Sequence, residues 1–263
     1  MSIRAFLKWA EEEGLMTTVS RPVNPRLEMA RVIHALEGHP VLFADPQRHG
    51  WRALAGICAK REHFAWALGT DVGGVVSRLT SALDNPALPS LEEEPPCQEI
   101  VDQAADLNAL PILTHLDEDG GPYVTSGVAV IRDPDFGRNV SFHRLMKVGE
   151  RSFTARLVEG RGTDTAWRKA MALGQDLEVA ICIGAPIHVL LAAAMSPAKG
   201  IDELSIANAL APTHVARCVC VDLEIPAECE VVLEGRITGQ IADEGPFTDL
   251  TETWDIVRQQ PVM

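Results

Sequence analysis

Hydrophobic and polar positions follow two different rhythms along this chain. Over residues 2–13, Phe6, Leu7 and Ala10 share one helical face, Ser2 stands where an N-cap belongs, and Gly14 stops the run. The same rhythm predicts helices over 26–36, ended by Gly38, and over 61–68 and 71–83, with short strands at 16–20 and 40–44. Residues 85–96 hold four prolines and an acidic run, a composition that favours extended, solvated chain and marks a boundary. Beyond it the period shortens to two. Strands are predicted at 124–132, 139–148 and 152–158, with tight connectors at 133–137 and 149–151 that suggest an antiparallel meander. Helical patterns return at 163–173, 187–195 and 201–210 around an apolar strand at 177–183, and strands 216–225 and 229–237 follow. The expected fold is α+β: an N-terminal α/β domain (1–84), a Pro-rich linker (85–110) and a β-rich domain with helical insertions (111–263). The final stretch, 255–263, is apolar-leaning and reads as the entry to a further strand.

Composition narrows the function. The 263 residues carry 23 basic and 37 acidic side chains, a net charge of −14, which argues against nucleic acid as a partner. Apolar residues make up 46%, enough for a sizeable core and too many for wholesale disorder. The longest apolar stretch, 185–195, is interrupted by Pro186 and His188 and is too short to span a bilayer. The first 14 residues are acidic and amphipathic with no apolar signal core, so a soluble, cytoplasmic protein with no membrane partner is expected. The six cysteines are scattered and read as reduced core thiols; Cys218 and Cys220 are expected on one face of a strand, with no second pair at zinc-site spacing.

Four segments could carry chemistry. On a strand through 137–144, Asn139, Ser141 and His143 share one face and Val140, Phe142 and Arg144 the other. An arginine beside Val and Phe is costly to bury unless an anion meets it; a strand arginine taken alone is more often a rim residue. In Asp243-Glu-Gly-Pro-Phe-Thr-Asp249, Gly245-Pro246 forces a turn flanked by Glu244 and Asp249. Two carboxylates at a rigid turn suit proton work, though the stretch also reads as a solvated acidic loop. Glu203, opening a helix after Gly200, suits a cation or simply the helix dipole. Arg156-Leu-Val-Glu-Gly-Arg-Gly162 is either an anion-binding loop or a solvated turn.

Taken in order, six segments resemble the UbiD family of prenylated-flavin-dependent decarboxylases. They are Gly120-Gly-Pro-Tyr-Val-Thr-Ser-Gly127, Arg138-Asn-Val-Ser-Phe-His-Arg144, Gly200-Ile-Asp-Glu203, Val221-Asp-Leu-Glu-Ile-Pro226, Glu230-Val-Val-Leu-Glu-Gly235 and Glu244-Gly-Pro-Phe-Thr-Asp249. The resemblance implies that the second domain is a flavin-reductase-like split β-barrel holding prenylated FMN. It implies Mn²⁺ bridging the cofactor phosphate to Asn139 and Glu203, with K⁺ nearby, and Arg161-Gly162 in the region where members vary the third metal ligand. Ser141, Phe142, His143, Arg144, Arg156, Leu157, Val158, Arg161 and Gly162 match stretches that wrap the flavin. Arg144, Glu244 and Asp249 match the catalytic Arg–Glu–acid network, with a small carboxylic acid as substrate. His143 is expected to be a packed residue rather than an acid–base group. Family members continue into a C-terminal α/β domain, so the resemblance also implies a homo- or hetero-oligomer in which a partner chain or longer precursor supplies it, and a flavin prenyltransferase that supplies the cofactor. The competing class is a non-catalytic flavin-binding scaffold subunit.

Overall fold

The computed structural model describes residues 2–47, 50–249 and 251–263. The N-terminal part runs α1 (Ile3–Glu12), β1 (Thr17–Val19), α2 (Glu28–Ala35), β2 (Val41–Phe43), β3 (Ala53–Ala55), α3 (Arg61–Leu68) and α4 (Val75–Asp84). Ser2 caps α1, its Oγ accepting from the Ala5 N–H. β1 and β2 pair in parallel and β3, which the sequence pattern did not reveal, adds antiparallel to β2. α4 starts four residues later than its apolar pattern because Asp71 accepts from the Gly74 N–H at 2.7 Å, making a turn of 71–74.

The Pro-rich stretch is extended and largely exposed, as its composition predicts. Within it, however, β4 (Ser90–Leu91) joins a sheet, in parallel with β11 (below). Next come β5 (Tyr123–Val124), β6 (Val128–Asp133), β7 (Gly137–Phe142), β8 (Leu145–Lys147), β9 (Phe153–Ala155), α5 (Gly162–Ala172), β10 (Leu177–Ile183), α6 (Ile187–Ala194) and α7 (Glu203–Leu210). The chain then adds β11 (His214–Arg217), β12 (Glu224–Pro226), β13 (Val231–Ile237), β14 (Ile241–Glu244), β15 (Phe247–Thr248), β16 (Trp254–Asp255) and β17 (Arg258–Pro261).

A four-stranded antiparallel sheet, ordered β13-β10-β6-β7, is the frame. Its two inner strands are apolar at nearly every position because both faces are covered. Val128, Val130, Ala180 and Cys182 point into a core with α6 and α7, whereas Ala129, Ile131, Val179 and Ile181 point into one with α5, β8 and β9. The remaining strands form small sheets, β5-β8-β9, β14-β17 and β15-β16, whose orders are open among the described residues.

Two expected strands are each split. Residues 139–148 are not one strand: β7 ends at Phe142, His143 and Arg144 cross over, and β8 starts a different sheet. The expected meander is therefore two hairpins in two sheets, β6–β7 and β8–β9. Residues 216–225 are likewise split, the end of β11 and the start of antiparallel β12 flanking a turn over 218–223. Cys218 and Cys220 lie in that turn, and Glu234 accepts from the Val219 and Cys220 N–H groups. All six cysteines are free thiols, yet only Cys182 and Cys229 are fully buried; Cys58 and Cys220 are exposed. Among the described residues no helix is long and apolar enough to cross a membrane.

Candidate active site

The β7–β8 crossover sets out the site. As the edge strand, β7 presents unpaired backbone groups, and the Val140 N–H finds its acceptor in Glu203 Oε2 at 2.9 Å. Glu203 is placed there by α7, whose start is capped by Asp202, the Leu204 N–H donating to its Oδ1. Arg138 locks helix and strand together through Asp202, at 2.5 and 3.1 Å, and Glu224, at 2.9 Å. Asn139 Nδ2 donates to Glu203 Oε1 at 3.1 Å. The Asn139 Oδ1 atom is buried with no partner, and Gly162 leaves it room: a Cβ there would lie 2.9 Å away. Burial pushes the Glu203 carboxyl up to about 7, although the Val140 N–H pulls the other way.

An orphaned carbonyl oxygen beside a buried carboxylate is a hard-oxygen donor set of the kind Mn²⁺ or Mg²⁺ takes, so the residues present fit a divalent cation. They supply two donors. Among the described residues no group of three His, Cys, Asp or Glu side chains is spaced to hold a metal, so further ligands would have to come from a bound anion or water.

Beside Asn139 lies a small polar network. His143 Nε2 lies 2.9 Å from Thr163 Oγ1 and 3.2 Å from Ser141 Oγ, and its Nδ1 lies 3.1 Å from the Arg156 carbonyl. Burial lowers the pKa of the ring, which has a packed residue's surroundings. Arg156 is mostly buried and donates to the Leu157 carbonyl at 2.6 Å; the Leu157 N–H is held by Gln260 Oε1 at 2.7 Å. Phe142, Val158 and Arg161 are exposed around this network, and Arg161 precedes the first turn of α5.

Arg144 leaves β7 toward β14. Its Nε donates to Glu244 Oε1 and its Nη2 to Glu244 Oε2, both at 2.9 Å, a bidentate pair in which Glu244 is fully buried. Nη2 also donates to Asp255 Oδ2 at 2.7 Å. Burial alone would lower the guanidinium's pKa, but Glu244 and then Asp255 outweigh it and hold the group above its ordinary value. The Phe247 ring lies 5.0 Å from the guanidinium carbon. The Gly245–Pro246 bend is cis, and Gly120 packs directly on it: the Gly120 N–H donates to the Pro246 carbonyl at 2.8 Å, and a Cβ on Gly120 would overlap Gly245 O.

Among the described residues Asp249 makes no hydrogen bond to this pair, although the Arg144 charge adds a smaller pull on its carboxyl. Its Oδ1 accepts from the Thr251 N–H at 2.9 Å, the Thr251 hydroxyl at 2.5 Å and the Thr253 N–H at 3.2 Å, and these bonds keep the carboxyl below the ordinary range. The acid against Arg144 is instead Asp255, which the sequence reading did not single out. It is held by β15–β16 pairing, Phe247 facing Asp255. Such two-residue strands carry no periodic signal. Tyr123 was also given no role; its hydroxyl donates to Glu244 Oε1 at 3.2 Å. A largely apolar cavity of about 1100 Å³ reaches Tyr123 and His115 from the α2–β3 side, without touching Arg144 or Glu244.

Residues 90–263 match the 3-octaprenyl-4-hydroxybenzoate carboxy-lyase Rift-related domain of UbiD, and residues 7–83 match the corresponding N-terminal domain. The chain is 37% identical, over 99% of its length, to anhydromevalonate phosphate decarboxylase of Methanothermobacter thermautotrophicus, and covers 61% of that protein. It superposes with a TM-score of 0.96 and 35% identity on the UbiD-class enzyme HmfF from Pelotomaculum thermopropionicum in complex with FMN, covering all of this chain and 61% of that one. An evolved dimeric form of HmfF in complex with prFMN gives a TM-score of 0.95 at 35% identity, over 99% of this chain and 63% of that one. The chain thus spans about three fifths of the length of these relatives.

Proposed function

Because this chain belongs to the UbiD family of carboxy-lyases, we propose that it forms the cofactor-binding and catalytic part of a decarboxylase acting on α,β-unsaturated or aromatic carboxylic acids with prenylated FMN. The observation that carries the reading is the buried bidentate Arg144–Glu244 pair, one strand crossover away from the oxygen donors Asn139 and Glu203. Bound between these two clusters, prenylated FMN would supply an electron sink for the bonding pair released as CO₂ departs.

The chain's own residues have distinct tasks in this reading. Asn139 and Glu203 would hold a divalent cation, Mn²⁺ in the proposal, whose charge would offset that of the cofactor phosphate. Ser141, Phe142, His143 and the 156–162 segment line the cofactor. Arg144 binds the substrate carboxylate: Nε and Nη2 are occupied by Glu244 and Asp255, and among the described residues Nη1 makes no hydrogen bond. The Arg144 side chain is 14% exposed, so an incoming carboxylate loses water there, which raises its energy more than that of the charge-dispersed transition state. Glu244 keeps the arginine oriented and partly neutralised, so the carboxylate is held without being over-stabilised. Asp249 returns a proton to the carbon left behind, exchanging its contacts to Thr251 and Thr253 for that role. A C-terminal domain, in the same polypeptide or on a partner chain, completes the substrate end. The substrate of the 37% identical relative, anhydromevalonate phosphate, is the first acid to test.

The test is CO₂ release by the complete protein, co-produced with a flavin prenyltransferase, from anhydromevalonate phosphate and a panel of furan, benzoic and acrylic acids. Native mass spectrometry confirms cofactor and Mn²⁺ loading beforehand. Turnover of at least one acid is expected. A fully loaded protein that neither releases CO₂ from any of these acids nor exchanges labelled CO₂ into their carboxyl groups removes the proposal.

A further inference from the structure

We propose that Tyr123 is a positioning residue for Glu244, fixing the rotation of its carboxylate so that both oxygens stay engaged with Arg144 when a substrate carboxylate arrives; this rests on the decarboxylase reading. Tyr123 is 2% exposed, and its hydroxyl donates to Glu244 Oε1, the oxygen that also accepts Arg144 Nε at 2.9 Å. The tyrosine is itself rigidly held. Its N–H donates to the Leu113 carbonyl at 2.8 Å, it pairs with Met146 on β8, two residues beyond Arg144, and its ring lies 4.4 Å from that of Phe247. Phe247 in turn packs against the Arg144 guanidinium. Hydroxyl, ring and backbone thus tie Tyr123 to both members of the pair.

The physical need is specific. A buried carboxylate has about four lone-pair sites, and one guanidinium engages one edge of it. With donors from Arg144 alone, Glu244 could turn or follow the arginine toward a second carboxylate. The Tyr123 hydroxyl pins Oε1 from a second element, so only the arginine's remaining N–H groups are open to competition. Burial and then the Glu244 charge both raise the phenol's pKa, so it stays a donor throughout. A purely space-filling tyrosine would serve as well as phenylalanine here; a positioning one would not.

Tyr123 is the only tyrosine of this chain, which makes the test direct. In the complete protein labelled with [¹³Cζ]tyrosine, the resonance missing from Tyr123→Phe identifies it. The expected results are that Glu244→Gln moves this resonance and that Tyr123→Phe speeds hydrogen exchange at Arg144 Nε–H by about tenfold, the worth of one hydrogen bond to a charged group. With anhydromevalonate phosphate as the probe, Tyr123→Phe should lower kcat by about tenfold with a smaller change in KM. A resonance indifferent to Glu244→Gln, or unchanged Nε–H exchange in Tyr123→Phe, overturns the positioning role. If the wild-type protein turns over no acid, the decarboxylase reading fails, while the two spectroscopic results still decide whether Tyr123 fixes Glu244.

Discussion

Asp255 accepts a 2.7 Å hydrogen bond from Nη2 of Arg144, 111 residues earlier in the chain, while Arg258 Nε donates to its other oxygen at 2.9 Å. One carboxylate therefore joins the crossover arginine to β17. Burial would raise its pKa, but the bonds from Arg144 and Arg258 outweigh that and hold it below the ordinary range. A carboxyl depressed in the fold stabilises it at every pH above the unfolded value of about 4, and that contribution disappears as the pH falls through the folded value. Asp255→Asn should accordingly cost about 1–3 kcal/mol near neutral pH, and the thermal unfolding curves of variant and wild type should converge in acid. A difference that persists unchanged below pH of about 3 would mean that shape rather than charge is what Asp255 contributes.

Arg144→Lys tests the fork geometry. A lysine ammonium keeps the charge but cannot meet both Glu244 oxygens in one plane, so the fully buried Glu244 loses part of its satisfaction. We expect kcat/KM to fall by roughly 10–100-fold, the worth of one charged hydrogen bond, with the thermal midpoint also lowered. Activity equal to wild type would show that a point charge suffices and would remove the bidentate pair from the mechanism.

Gly162→Ala separates metal binding from folding. The new Cβ would sit 2.9 Å from Asn139 Oδ1, the orphaned donor, so that oxygen must move. At the start of α5 the substitution itself favours helix, by up to about 1 kcal/mol. The expectation is a protein at least as stable as wild type whose Mn²⁺ affinity, followed by electron paramagnetic resonance in the FMN-loaded state, is about tenfold weaker. Unaltered Mn²⁺ affinity would place the cation elsewhere.

How much of this was legible in the sequence depends on the range of the signal. The strands of the central sheet were, because β6 and β10 are buried on both faces and read as continuous apolar runs. That Asn139 and Ser141 share one face followed from alternation within β7, and His143, just past its end, still reaches Ser141 at 3.2 Å. The break after Phe142 did not, since His143 and Arg144 continue a plausible strand until the chain meets its partners in α5 and β14. The Gly245-Pro246 bend was visible as a turn, yet nothing local tells which flanking acid faces Arg144. That choice is made by Thr251 and Thr253, which capture Asp249, and by two-residue strands too short for any period. Tyr123 stood within a motif segment without a role because its partner lies 121 residues away.

The proton donor is the last point at issue, and two acids compete for it. Asp249 sits on a loop, bonded to Thr251 and Thr253, whereas Asp255 is bound by two arginines and would release Arg144 if protonated. A donor must carry a proton at working pH and reach the substrate carbon; Asp255 is held anionic by the very groups that position it. Asp249 is held low by neutral donors in the first place, which cost less to give up than a pair of guanidinium bonds. Asp249→Asn should therefore stop formation of protonated product while leaving the bound cofactor spectrum intact, and hydrogen–deuterium exchange from solvent into product should cease with it. Asp255→Asn should retain that exchange at a reduced rate, by roughly tenfold, through its effect on Arg144. The reverse pattern, with exchange surviving in Asp249→Asn and lost in Asp255→Asn, would transfer the role to Asp255.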